Sequence, residues 1–379
     1  MRRGDESGII GERSWEEKVM EEKKIIIQKS RPWYILTDNI VTISLIAFLL
    51  MEAGSVIGSA IALPGWIGSG LIAGILGTVG VFDAHTVNVW DSAGYMAYAY
   101  AMFAGIWIVV ILYCAIGRKN VSRPVLRSLY TDLKGNNWRG ILIGTAIGGL
   151  LNALCILIAY LHGDISLSYR GFYPMWLWYV FTCVIIQSAA EELICRGFLY
   201  QRLMRRYRSP ILAILWNSLF FALLHLGNEG VTVLSIINIF LAGLMFSLIV
   251  YYLDSMWAAF MAHAAWNYMQ NIVFGLPNSG MQAEFSILRL DHASDSLAYC
   301  RSFGIEGTVV ADIVLALFCL AIFLWGHFTH RKPTNVWRYT EVVIPPKKKG
   351  TGNAASEMPE NAPASDDAGI ASGEDPSHS

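Results

Sequence analysis

The chain has 379 residues and is 55% hydrophobic and only 15% charged, with a formal net charge of −1 and a mean hydropathy of +0.45. A soluble domain averages about 45–50% apolar and about 25% charged. The apolar excess lies in unbroken runs, so the fold class expected is all-α, a polytopic membrane bundle of about eight transmembrane helices. The near-zero net charge averages over parts in different solvents and implies neither nucleic-acid binding nor an acidic partner.

In chain order, residues 1–32 read as a charged cytoplasmic N-terminal arm. No apolar h-region stands near the start, so no cleavable signal peptide is expected and the first span acts as the targeting signal. Trp15, Val19, Ile26 and Ile27 give one apolar edge to a helix lying on the membrane, with a merely solvated helix as the alternative. The transmembrane bundle is expected over 33–330, with spans at about 34–60, 93–116, 140–162, 174–200, 210–227, 230–253, 256–275 and 308–329. Gly65 to Phe82 is apolar but holds six glycines, and reads as a re-entrant or surface-packed piece.

The Lys/Arg bias sets the sides. Arg118, Lys119, Arg123, Arg127, Lys134 and Arg139 follow the second span, and Arg202, Arg205, Arg206 and Arg208 follow the fourth. Arg331, Lys332, Arg338 and Lys347 to Lys349 follow the last. All fall on the N-terminal side, which is therefore expected to be cytoplasmic together with both termini. Loops 163–173 and 280–306 carry few basic residues. Residues 331–379 form a basic flank and a tail. From Lys347 the tail turns to Gly, Ala, Ser, Pro, Asp and Glu and is expected to be disordered. No short repeat and no matching pair of broken helices suggests a transporter. Of six cysteines, all but Cys300 fall in apolar runs as small hydrophobes, and neither a disulfide framework nor a zinc knuckle is supported.

Ionisable residues inside spans cost about 2.5–3.5 kcal/mol each on insertion scales and mark function by default. Three neighbouring stretches hold them. In A-A-E-E-L-I-C-R-G, Glu192 and Arg196 are i,i+4 and share a helix face, so Arg196 can keep Glu192 ionised. Glu191 is turned about 100° away, beside Gln187, Ser188 and Cys195, and is the carboxylate left free to act. A charge pair snorkelling at the cytoplasmic mouth is the bland alternative. In F-F-A-L-L-H, Phe221 and His225 are i,i+4, where a single His is often only interfacial. In H-A-A-W-N, His263 and Asn267 are i,i+4 donors, with Asn271 one turn further, and interhelical polar glue is the alternative.

Together the set matches a reaction. A Glu and a His can share a water and remove its proton, while a second His and an Asn donate to the oxygen that becomes negative. On a rise of 1.5 Å per residue, Glu191 lies about 13 Å from a boundary near Tyr200, and His263 about 10 Å from its cytoplasmic end. His225 lies about 22 Å in if its helix enters at Pro210. The groups meet only if that helix enters nearer Trp216, with the Gly227-Asn228-Glu229-Gly230 break deep and lining a polar cavity. The cluster is expected to face the cytoplasm.

The order EExxxR, FxxxH, HxxxN, here Glu191-Glu192-Leu-Ile-Cys-Arg196, Phe221-Ala-Leu-Leu-His225 and His263-Ala-Ala-Trp-Asn267, resembles the CPBP family of intramembrane glutamic endopeptidases, which includes the CAAX prenyl proteases and Abi-type immunity proteins. The resemblance covers about 174–275, inside a protease-like core at about 140–275. It implies that Glu191 and His225 activate water, that His263 and Asn267 form an oxyanion hole, and that Glu192, Arg196 and Phe221 support them. It implies no cofactor. The partners expected are a peptide or protein substrate, prenylated in type or membrane-associated, entering from the membrane or the cytoplasmic side, and the lipid bilayer. Zinc is the mechanistic rival, but the HExxH pattern is absent. A catalytically silent immunity or scaffold protein, and a transporter or channel, are the competing functions.

Overall fold

The structure, a computed structural model, describes residues 39–116, 125–130, 132–278 and 281–337. The expected N-terminal arm, the tail beyond 337 and the basic residues Arg118, Lys119 and Arg123 lie outside the described residues.

The described residues include the α-helices α1 Ile40–Thr78, α2 Ala84–Ala101, α3 Ala104–Ile116, α4 Trp138–His162, α5 Pro174–Glu192, α6 Gln201–Tyr207, α7 Pro210–Leu224, α8 Val233–Leu253, α9 Met256–Tyr268 and α10 Val309–Phe328. π-helical turns join α5 to α6 (Leu193–Tyr200) and extend α9 (Met269–Val273). Six rods are long and apolar enough to cross a membrane: α1, α2 with α3, α4, α5 through α6, α8 and α10. The shorter apolar α7 is a seventh apolar segment, and α9, expected as a span, is shorter and more polar than these. The protein is a multi-pass integral membrane protein.

The glycine-rich stretch corrects the sequence reading. It is neither re-entrant nor separate, because α1 runs unbroken for 39 residues through Pro64 to Thr78. An interior glycine costs roughly 1 kcal/mol against alanine. Unpaired backbone groups in hydrocarbon cost several kcal/mol each, so the helix persists. Because α1 is one rod, the expected alternation of ends survives.

Two ends follow from the contacts. At one, the Ile40 amide donates to Tyr207 Oη, the Lys134 amide to Asp254, Thr334 to Asp254, and Trp337 Nε1 to the Gln201 carbonyl. At the other, a small antiparallel sheet that sequence reading missed pairs β1 (Ile165–Tyr169) with β2 (Leu288–Ala293), from Ile165↔Ala293 to Tyr169↔Leu288. There the Ser294 amide donates to the Asp164 carbonyl and the Glu284 amide to Ser92 Oγ.

Small residues set the close approaches. Gly140, Gly144 and Gly148 recur every four residues along α4. A Cβ on Gly144 or Gly148 would collide with the carbonyls of Ala258 or Ala262 on α9. This small-xxx-small stripe brings two backbones together where lipid offers no hydrophobic drive. It fixes the helix that carries His263 and Asn267. Gly54 and Gly58 do the same for α1 against Gly105 and Met102.

Candidate active site

The EExxxR motif straddles the end of α5. Glu191 and Glu192 close the regular helix, and Arg196 follows in the π turn. π segments are rare and recur at functional sites. Arg196 and Glu192 are wholly buried, and Arg196 Nη1 donates to Glu192 Oε1 at 2.9 Å. The guanidinium also donates to the Gly243 carbonyl at 2.7 Å and lies over the rings of Phe221 and Phe246, 4.7 and 5.4 Å from their centroids. A desolvated cation thus meets a carboxylate, a carbonyl and two π faces, which together offset its burial.

His263 reaches both glutamates. Its Nδ1 is 3.1 Å from Glu192 Oε1, and its Nε2 is 3.8 Å from Glu191 Oε2. The ring stacks on Phe246 at 4.9 Å and meets the edge of Phe221 at 5.8 Å. An Nδ1–H given to Glu192 leaves Nε2 an acceptor on the neutral ring and a donor only on the imidazolium.

Glu191 is buried and oriented by Gln187, whose Nε2 donates to Glu191 Oε1 at 2.7 Å. Glu191 Oε2 makes no hydrogen bond among the described residues. The same Gln187 accepts from Asn267 Nδ2 at 3.3 Å. One amide therefore links the free carboxylate to the asparagine.

His225 caps the C-terminus of α7. Its Nδ1 lies 2.8 Å from the Phe221 carbonyl, which can only accept, so Nδ1 carries the proton and Nε2 the lone pair. The helix does begin at Pro210 but is only 15 residues long, about 22 Å at the usual rise. It ends at His225, where the chain turns into the loop that leads to α8. Trp216 Nε1 donates to Ser44 Oγ on α1 at 2.9 Å. Glu191, His225, His263, Asn267 and Phe221 all line one cavity of about 280 Å³, with Asn228 of the glycine break among them. Glu192 and Arg196 lie behind this wall. His263 is the histidine that reaches Glu191, its Nε2 3.8 Å from Glu191 Oε2.

Sequence reasoning missed four lining residues. Asn278 Nδ2 reaches Asn267 Oδ1 at 3.4 Å and Glu306 Oε1 at 3.2 Å. Glu306 also accepts from Trp266 Nε1 at 3.0 Å. Tyr100 lines the cavity with its hydroxyl buried and without a hydrogen bond among the described residues. Asn238 lines it and donates to Asp312. No spacing signalled them, since they come from three other stretches of chain. Asn271, one turn beyond Asn267, turns away to clamp the loop carbonyl of Met281 at 2.5 Å.

Outside the α-helices the cavity is lined by Phe103, at the break between α2 and α3, and by Asn228, Asn278, Met281 and Glu306 from the loops at the β-sheet end. The first two spans, silent in the motif, contribute Met51, Ser55 and Tyr100. Among the described residues no group of three His, Cys, Asp or Glu is placed to hold a metal ion.

Residues 173–269 match the family described as type II CAAX prenyl endopeptidase Rce1-like. The chain is also 31% identical over 140 residues to the uncharacterized protein YyaK of Bacillus subtilis (strain 168), which covers 35% of this chain and 44% of that relative. The chain thus spans less than half the length of the curated relative it matches. No solved structure matches it. The resemblance carried by the three motifs is borne out: the segment that bears Glu191, His225, His263 and Asn267 matches the model of the Rce1-like type II CAAX prenyl endopeptidases.

Proposed function

We propose that the protein is a metal-independent intramembrane endopeptidase that hydrolyses a peptide bond through water activated by Glu191 and His225. The observation that carries this reading is the gathering of Glu191, His225, His263 and Asn267 around one buried cavity from three separate spans. Polar groups at such depth are costly unless used.

In this mechanism water lies between Glu191 Oε2 and His225 Nε2, both acceptors. Glu191 takes one proton as the oxygen adds to the scissile carbonyl. The carbonyl oxygen becomes negative and accepts from Asn267 Nδ2, with His263 as the second donor. Glu191 then returns its proton to the leaving amine. Glu192 and Arg196 keep His263 in place. The Rce1-like match supports protease chemistry for this segment, and the residue roles rest on the geometry.

Substrate trapping tests it. Membrane proteomes of cells with wild-type protein and with Glu191→Ala are compared, and a peptide intact only in the variant is expected. A Glu191→Ala protein that cleaves a natural substrate at the wild-type rate refutes the proposal. A phenotype that survives Glu191→Ala and His225→Ala but is lost on surface-loop changes would instead favour a silent scaffold.

A further inference from the structure

We infer that the cavity is served from the face opposite the cytoplasm, and that its substrate is a polypeptide segment exposed on that outer side, not a prenylated cytoplasmic C-terminus. The word substrate rests on the protease reading above; the sidedness does not.

Two independent observations meet here. The first is charge. Arg127, Lys134, Arg139, Arg202, Arg205, Arg206, Arg208, Arg331 and Lys332 belong to the end where Asp254 and Gln201 gather the loops. The sheet end carries only Arg170, Arg289 and Arg301 among its described Lys and Arg residues, together with Asp83, Asp164, Glu229, Glu284, Asp291 and Asp295. The Lys/Arg rule places the first end in the cytoplasm and the sheet end outside.

The second is the lining. Apart from Phe103 at the break between α2 and α3, the lining residues outside the α-helices, together with the cap of α7 at His225, come from the sheet end. Asn228 and Asn278 stand there beside Glu306, and no loop of the basic end touches the cavity. A peptide approaching from the cytoplasm would meet the Glu192–Arg196 pair and the packed π turn before it met Glu191.

The cavity's chemistry agrees. About half of its lining residues carry polar side chains, among them Gln187, Asn238 and Asn278. Peptide amides can pair with these groups, whereas an isoprenyl chain would leave them unpaired.

Cysteine labelling of the full chain in intact cells tests the inference. Cys300 is half-buried in the sheet-end loops, and the other described cysteines are buried. In a Cys300→Ser background, Ser302→Cys reports the sheet end, Lys332→Cys the basic end and Asn228→Cys the cavity. A membrane-impermeant maleimide is expected to label Ser302→Cys and Asn228→Cys without permeabilisation, and Lys332→Cys only after it. The reverse pattern overturns the inference, as does labelling of Ser302→Cys from outside while Asn228→Cys reacts only from inside. The labelling needs no cleavage, so an inactive protein would refute the protease reading and leave the sidedness measured. Trapped peptides cut on their cytoplasmic segments would overturn the inference while sparing the protease.

Discussion

One oxygen of Glu192 serves two helices: its Oε1 accepts from Arg196 Nη1 at 2.9 Å and faces His263 Nδ1 at 3.1 Å. The brace inferred between Glu192 and Arg196 therefore extends to the histidine of the proposed oxyanion site. Arg196→Met should cost about 3–5 kcal/mol, because it strands a buried carboxylate. The double variant Arg196→Met/Glu192→Gln should be less destabilised than Arg196→Met alone. Thermal unfolding in detergent checks both. Equal or additive losses would show that the pair is not coupled.

Glu191→Gln keeps an oxygen for Gln187 to donate to, so the fold should be unchanged. Losing the base should lower kcat by about 10²–10⁴. Parallel circular dichroism and cleavage assays test this. A variant that unfolds would mean that Glu191 is structural.

Asn267→Ala should lower kcat by about 10²–10³ with little change in KM, as expected of a donor used in the transition state. Asn278 touches Asn267 and Glu306 on the cavity wall and is not a donor to the reacting carbonyl oxygen in this mechanism. Asn278→Ala should therefore lower kcat less, by roughly tenfold, which corresponds to about 1.4 kcal/mol. A larger loss at Asn278 than at Asn267 would reverse the assignment.

The Tyr100 hydroxyl is buried without a partner beside the cavity, a cost a folded protein rarely keeps without use. Tyr100→Phe should leave the unfolding temperature equal or raised and lower kcat/KM by about tenfold, the loss of one substrate hydrogen bond. Unchanged cleavage would mean that the hydroxyl meets no substrate.

Outside the membrane, Asp164 ties α4 to the sheet-end loop, accepting from Ser296 Oγ at 2.6 Å and from His162 at 2.9 Å. Burial acts to raise its carboxyl, but the Ser296 and His162 hydrogen bonds and the His162 charge outweigh it, so it sits below the usual 3.8. A lowered folded value stabilises above the unfolded pKa, and that stability is lost as pH falls through the folded value. Hydrogen exchange at Ser294 and Tyr299 should therefore be unchanged from neutral pH to about 5 and accelerate below about 4. Asp164→Asn should abolish that acid dependence.

The sequence by itself determined the class and the apolar spans and singled out the candidate residues of the site. Apolar runs oblige helices in lipid, and i,i+4 spacing alone puts Glu192 on Arg196 and leaves Glu191 free, because a helix repeats every 3.6 residues. The glycines of Gly65 to Phe82 misled, since propensity measured in water yields to backbone pairing in hydrocarbon. Only the tertiary structure decided which groups meet. It brought His263 to both glutamates, ended α7 at His225 beside the cavity, and set Tyr100, Asn278 and Glu306 around the same cavity. It also decided which end the cavity borders. Those relations join residues up to some two hundred positions apart, fixed by helix packing through Gly144 and Gly148 and by the returning loops, and no local period records them.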